Sequence, residues 1–216
     1  MQLSSKKILI TAGPTLEPID PVRYISNFST GKMGIALAEE CAARGAEVIL
    51  IKGPTQVKTT HQKVKVIEVT TASEMYEACT QYFSQSDVII FAAAVADYTP
   101  KNPANTKIKK NENDFMLELI KTKDIAYELG QMKKPGQVTV GFALETDNEM
   151  DNALSKLGKK NLDMIVLNSL QDVGAGFRHD TNKVTIVDKS RNVVKFELKS
   201  KTEVAKDIIN YIEKLS

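Results

Sequence analysis

Short, nearly unbroken apolar runs alternate along the chain with segments whose apolar positions recur every three or four residues. That alternation predicts strands and helices in turn. Residues 6–12 (KKILITA), 47–52 (EVILIK), 64–69, 87–94 (DVIIFAAA), 137–144 (QVTVGFAL) and 163–168 (DMIVLN) read as strands. The run at 87–94 is the most completely apolar, as a central parallel strand covered on both faces requires. Helical spacing of Met33, Ile35, Leu37, Ala38 and Cys41 predicts a helix over 31–44, stopped by Gly45. Thr71-Ala-Ser-Glu74 and Thr146-Asp-Asn-Glu149 have the form of capping boxes, opening helices that run to Phe83 and Lys160. A strand over 115–120 and a short helix over 124–132 follow the same logic. Residues 183–187 and 193–198 read as a hairpin. A final helix over 202–215 sets Val204, Ile208, Tyr211, Ile212 and Leu215 on one face.

These elements imply an α/β fold: an open, mostly parallel, Rossmann-like sheet with helices on both faces and a C-terminal antiparallel hairpin. No repeat or linker interrupts the pattern, so one domain over 1–216 is expected. The pattern breaks after residue 94. Asp97, Pro100, Pro103 and a group of lysines there mark a mobile lid at about 97–113. Ligands of such sheets bind beyond the carboxyl ends of the strands. Those ends are Gly13-Pro14-Thr15, the segment 92–97, the segment 142–145 and Asn168.

Composition narrows the function classes. The chain has 216 residues, 42% hydrophobic and 26% charged, which suits a globular protein that holds its core without disulfide or metal. A net charge of +2 argues against a general nucleic-acid binder. The two cysteines, Cys41 and Cys79, read as small buried hydrophobes in a reducing compartment. The sequence shows neither an apolar run long enough to span a membrane nor a signal peptide, so a cytoplasmic protein is expected. The lysines are uneven, however. Lys101, Lys107, Lys109 and Lys110 share a stretch without an acid, which suggests a small, strongly anionic ligand.

The candidate chemistry lies at the strand ends. Pro14 and Thr15 spoil a dinucleotide fingerprint, and Met33 spoils a P-loop. Ser29, Thr30 and Gly31 open a helix whose amides and dipole favour a phosphate or carboxylate; plain capping fits that segment equally well. Arg23 offers a fork for an anion and Asn27 a donor and an acceptor, although a surface loop explains both by composition alone. The small-residue run Ala92-Ala93-Ala94-Val95-Ala96 gives a flat ring a place to lie, with the Asp97 carboxylate just beyond. Packing under a helix accounts for the alanines but not for Asp97. Lys156 and Lys160, four apart, share a helical face. His61 and His179 show no metal-ligand spacing, and no metal ligand is assigned from the protein.

Taken together, the segments at 10–34 (ITAGPTLEPIDPVRYISNFSTGKMG), 92–98 (AAAVADY), 107–110 (KIKK), 140–146 (VGFALET) and 159–168 (KKNLDMIVLN) resemble the bacterial, CTP-dependent phosphopantothenate–cysteine ligases, also called phosphopantothenoylcysteine synthetases. The likeness runs in order over nearly the whole chain. It implies coenzyme A synthesis: 4′-phosphopantothenate attacks CTP with Mg²⁺ to give an acyl-cytidylate, and L-cysteine then displaces CMP. It implies Asn27 and Lys107 as catalytic residues. Phe91, Ala92, Ala93, Asp97, Lys107, Lys123, Asp124, Ile125, Ala126, Phe142, Lys156 and Lys160 fall where the family meets the nucleotide. Arg23, Ser29, Thr30 and Gly31 are placed toward the other substrate. Lys123 stands where the family more often has proline. The resemblance further implies a homodimer and a link, by fusion or association, to a flavin-dependent phosphopantothenoylcysteine decarboxylase. Neither nucleic acid nor membrane is an expected partner. Two other classes share the sheet: a short-chain NAD(P)-dependent oxidoreductase, and a non-catalytic nucleotide-sensing module.

Overall fold

The computed structural model of the chain describes residues 1–110, 115–145, 147–169, 176 and 179–215. The strands are β1 (Lys7–Ala12), β2 (Leu16–Pro18), β3 (Tyr24–Ser26), β4 (Glu47–Lys52), β5 (Val64–Glu68), β6 (Val88–Phe91), β7 (Tyr98–Pro100) and β8 (Leu119–Lys121). They continue with β9 (Val138–Glu145), β10 (Met164–Ser169), β11 (Thr181–Asn182), β12 (Val184–Asp188), β13 (Val193–Lys195) and β14 (Lys199–Ser200). The helices are α1 (Lys32–Ala43), α2 (Ala72–Phe83), α3 (Ile125–Gln131), α4 (Glu149–Lys159) and α5 (Lys201–Lys214).

Eight strands form the main sheet in the order β13-β12-β10-β9-β6-β1-β4-β5. β12 and β13 pair antiparallel at one edge, and the other six run parallel. Numbered among themselves, those six lie 3-2-1-4-5-6, the doubly wound order whose crevice opens where the winding reverses, between β1 and β6. The expected fold is therefore the one observed, with its antiparallel hairpin in place.

Period-two alternation explains the layers. Ile8 and Ile10 of β1 face a core shared with Ile35, Cys41, Val204 and Ile208 of α1 and α5. Leu9, between them, faces the opposite core with Met75, Phe83, Leu129 and Leu157 of α2, α3 and α4. Cys41 and Cys79 lie in different cores, on opposite sides of the sheet. Both are free and buried, and burial pushes the Cys79 thiol up to about 12.

Two close approaches shape the crevice. A Cβ on Gly34 would stand 2.5 Å from Ala12 Cβ, so its absence lets α1 rest against β1. A Cβ on Gly53 would collide with the Pro14 carbonyl oxygen, so the turns after β1 and β4 touch backbone to backbone.

The expected capping box at Thr71 is present, with Thr71 Oγ1 accepting from Glu74 N at 3.2 Å. The second box is a correction: Glu149 is the first residue of α4, Asn148 precedes it at φ 45°, and Thr146 lies outside the described residues. The connection at 15–30 contains the β2–β3 hairpin. The lid arms are not plain loop, since β7 and β8 pair antiparallel. Residues 111–114 of the expected lid and strand region lie outside the described residues. Among the described residues, no helix is long and apolar enough to cross a membrane.

Candidate functional site

A cavity of about 630 Å³ opens at the carboxyl ends of β1, β6, β9 and β10, on the β6 side of the reversal point. Its construction begins with pairing that continues past the strands. Ala94 N donates to Gly13 O at 2.9 Å, and Ala96 N donates to Thr15 Oγ1 at 3.0 Å. The chain after β6 thereby stays flat, and Phe91, Ala92, Ala93 and Asp97 all line the cavity. Thr122 then ties the next wall to this one. Its N–H donates to Asp97 O at 3.0 Å and its hydroxyl to Ala96 O at 2.6 Å. Lys123, Asp124, Ile125 and Ala126 follow along the rim. Asp124 caps α3 by accepting from Tyr127 N, while the Lys123 ammonium sits 4.3 Å from the centre of the Tyr76 ring.

Asn27 is delivered by the β2–β3 hairpin. Its Nδ2 donates to Ala94 O at 3.0 Å and Val95 O at 3.1 Å, which leaves Oδ1 as the amide atom available to a ligand. Ser29, Thr30 and Gly31 line the same cavity at the start of α1. Thr30 Oγ1 is buried and has no hydrogen-bond partner among the described residues. The helix takes Gly31 as its N-cap at φ 75°, without side-chain capping, so the capping account of Ser29 and Thr30 is corrected.

From the far side come Phe142, in the carboxyl half of β9, Lys156 of α4, and Lys160, the C-cap residue of that helix. Lys156 Nζ is 2.5 Å from Glu145 Oε1, and Lys160 Nζ is 2.9 Å from Asp124 Oδ2. Sequence reasoning passed over several lining residues: Lys32, Lys121, Asn168, Asn182 and Lys201. Lys32 and Asn168 stood in segments already singled out. Lys201 carried no signal, because its place follows from the return of α5 across the sheet. It is buried, and its ammonium donates to Gly176 O at 3.0 Å and His179 O at 2.6 Å. Burial and the neighbouring Lys32 push it below the ordinary lysine value. Lys32 itself pairs with Asp180 at 2.5 Å. With six lysines and two aspartates in its lining, the cavity suits an anion.

Two expected residues stand elsewhere. Arg23 is not in the lining: its guanidinium is engaged by the buried Asp20 carboxylate and by Ile108 O at 2.9 Å. The Arg23 hydrogen bond, together with backbone N–H groups, holds that carboxylate well below the usual range despite burial. Lys107 is exposed on the segment after β7 and also lies outside the cavity wall.

Residues 3–215 match the family described as DNA/pantothenate metabolism flavoprotein C-terminal domain. The chain is 57% identical over 97% of its length to a protein of an unknown prokaryotic organism named cysteine/cysteine sulfinic acid decarboxylase, of which it covers 58%. It is 46% identical over 99% of its length to the coenzyme A biosynthesis bifunctional protein CoaBC of Bacillus subtilis (strain 168), of which it covers 52%. The chain thus spans about half the length of the curated relatives it matches. Among solved structures, the C-terminal domain of a CoaBC protein superposes with a TM-score of 0.84 at 42% identity. That match covers 100% of this chain and 98% of the other.

Proposed function

Because the chain belongs to the DNA/pantothenate metabolism flavoprotein C-terminal domain family, we propose that it is a phosphopantothenate–cysteine ligase of coenzyme A synthesis. One observation carries the reading. A single cavity gathers a strand-end wall (Phe91, Ala92, Ala93), a carboxylate just past it (Asp97) and two lysines at the carboxyl end of a separate helix (Lys156, Lys160). That is the arrangement a ring, a ribose and a polyphosphate need.

In the first step a carboxylate oxygen of 4′-phosphopantothenate attacks the α-phosphorus of CTP, and pyrophosphate leaves. In the second the cysteine amine attacks the acyl carbon, CMP leaves, and the nitrogen gives up a proton. Phe91, Ala92 and Ala93 lie along the cytosine ring, Asp97 accepts from the ribose hydroxyls, and the rim at 123–126 closes over the base. Phe142 flanks the nucleotide. Lys156 and Lys160 meet the phosphates, exchanging part of their pairing with Glu145 and Asp124 for the ligand. Lys107 swings its four-carbon stem inward from the segment after β7. Asn27 Oδ1 serves the acyl-cytidylate and the incoming amine, and the start of α1, with the unpartnered Thr30 hydroxyl, receives the phosphopantothenate anion.

Among the described residues, no three carboxylates, histidines or cysteines cluster to cage a metal. Mg²⁺ would arrive on the triphosphate, where it would offset phosphate charge. A homodimer, and a flavin-dependent decarboxylase on the same or an associated chain, complete the proposal. The lengths of the relatives, about twice this chain, support the latter.

The test is pyrophosphate release from phosphopantothenate and cysteine with CTP and ATP side by side, for the parent and for Lys107→Gln. CTP-dependent release, abolished in the variant, is expected. Release of CO₂ from cysteine without any nucleotide would instead support the activity named for the 57%-identical relative. Stabilisation by NADPH and not by CTP would favour an oxidoreductase.

A further inference from the structure

The segment that carries Lys107 is fastened to the tip of the β2–β3 hairpin, and the fastening divides one carboxylate into two functions. Asp20 is buried in the turn between β2 and β3. Its Oδ1 accepts from Val22 N and Arg23 N, both at 2.8 Å, and so closes the turn. Its Oδ2 accepts from the Arg23 guanidinium and, at 3.1 Å, from Ile108 N. Arg23 in turn donates to Ile108 O. Both polar groups of Ile108 are therefore gripped, one by each member of the ion pair. Ala104 N adds a bond to Ile19 O at 2.9 Å, in the same turn. The other end of this hairpin supports Asn27 against Ala94 and Val95.

The geometry points to Asp20 as a positioning residue: through Arg23 and the Lys107–Ile108 peptide, it fixes the backbone from which Lys107 reaches the cavity. The inference rests on the ligase reading. One hairpin then sets the separation of Asn27 from Lys107, and only the lysine side chain has to move. The charge-assisted bonds suit this role, being about twice as strong as neutral ones.

Asp20→Asn separates the two functions. An asparagine keeps Oδ1 for the turn but turns an N–H₂ toward Arg23 and Ile108 N, where a donor meets donors. The clamped bond is itself a tryptic site, since it follows Lys107. Limited trypsinolysis of the full chain, read by mass spectrometry, should show cleavage after Lys107 about tenfold faster or more in the variant. Cleavage at an exposed lysine on another element, Lys63 before β5, serves as the internal control. Pyrophosphate release should slow by about tenfold or more, with the CTP KM changing much less. Arg23→Gln, at an exposed side chain, should accelerate the same cut and serves if Asp20→Asn fails to fold. Cleavage after Lys107 at the parent rate in the folded variant overturns the clamp. Faster pyrophosphate release overturns positioning, because it would make the clamp a restraint. No pyrophosphate from the parent overturns the ligase reading instead, and the tryptic comparison still decides the clamp.

Discussion

Lys156 Nζ lies 2.5 Å from Glu145 Oε1, so the ammonium assigned to a phosphate is already held by a carboxylate from the end of β9. The lysine side chain is 41% exposed and the glutamate 11%, so solvent screens the pair and its worth is modest. Removing the negative partner leaves a less neutralised cation facing the cavity. Glu145→Gln should bind CTP about fivefold tighter at low salt, roughly 1 kcal/mol, by titration calorimetry. Unchanged or weaker binding would mean that Glu145 aims Lys156 and does not compete for it.

Asn27 gives both hydrogens of its amide to the carbonyls after β6. Asn27→Asp would set a carboxylate oxygen against those two acceptors and disturb the atom offered to the intermediate. Single-turnover experiments should show amide formation slowed by about tenfold or more, with acyl-cytidylate formation affected much less. Two half-reactions as fast as in the parent would remove Asn27 from the mechanism.

At position 34 two effects oppose each other. Alanine favours a helix interior over glycine by about 1 kcal/mol. Its methyl, however, would stand 2.5 Å from Ala12 Cβ and 3.1 Å from Thr11 O, and such overpacking costs about 1–3 kcal/mol. Overpacking wins because one obstacle is backbone. Gly34→Ala should lower the melting temperature by roughly 2–6 °C; an equal or higher value would show that α1 slides away at no cost.

Acid stability should depend on Asp163, a buried carboxylate at the start of β10. Burial raises its pKa, but Lys133 at 2.5 Å, the Thr139 N–H at 2.8 Å and Lys189 at 3.0 Å more than offset that, leaving it below the ordinary value. With the folded value depressed, the stabilisation is complete above the unfolded pKa of about 3.9 and is lost as pH falls through the folded one. Asp163→Asn should cost about 3 kcal/mol at pH 7 in urea melts. That difference should shrink only below about pH 4. A gap that stays constant as the pH is lowered beneath the ordinary carboxylate range would assign the cost to packing.

The main sheet was legible because each parallel strand except the half-exposed edge strand β5 is a run that two cores bury, and burial leaves its mark residue by residue. Ile8, Leu9 and Ile10 alternate between the cores, yet all three are apolar. β2, β3 and β7 left no such mark, since each has three residues and none lies in the main sheet, while the strand expected over 115–120 is realised only as β8, at its carboxyl end. The Ser200 capping box, with Glu203 three residues on, was readable and passed over. At the site, the residues at strand ends were found because strand ends are where ligands go. Arg23 misled for a local reason. Its partner is three residues away in a turn, and nothing in a string of letters distinguishes a guanidinium held at home from one offered to a ligand. Lys201 escaped for the opposite reason, since only the tertiary return of α5 brings it to the cavity.

Because Gly53 lies against the Pro14 carbonyl, main chain seals the crevice on the β4 side of β1. Thr55 reinforces the seal with a 2.6 Å bond from its hydroxyl to Thr30 O. Enzymes with this strand order ordinarily stretch a dinucleotide across both halves. Among the described residues the site cavity lies on the β6 half, so on the ligase reading a second nucleoside finds main chain where Gly53 meets Pro14. On that reading, the winding that elsewhere houses a redox carrier is narrowed to a berth for one nucleotide, and reopening it would require a different backbone, beyond what exchanging a side chain achieves.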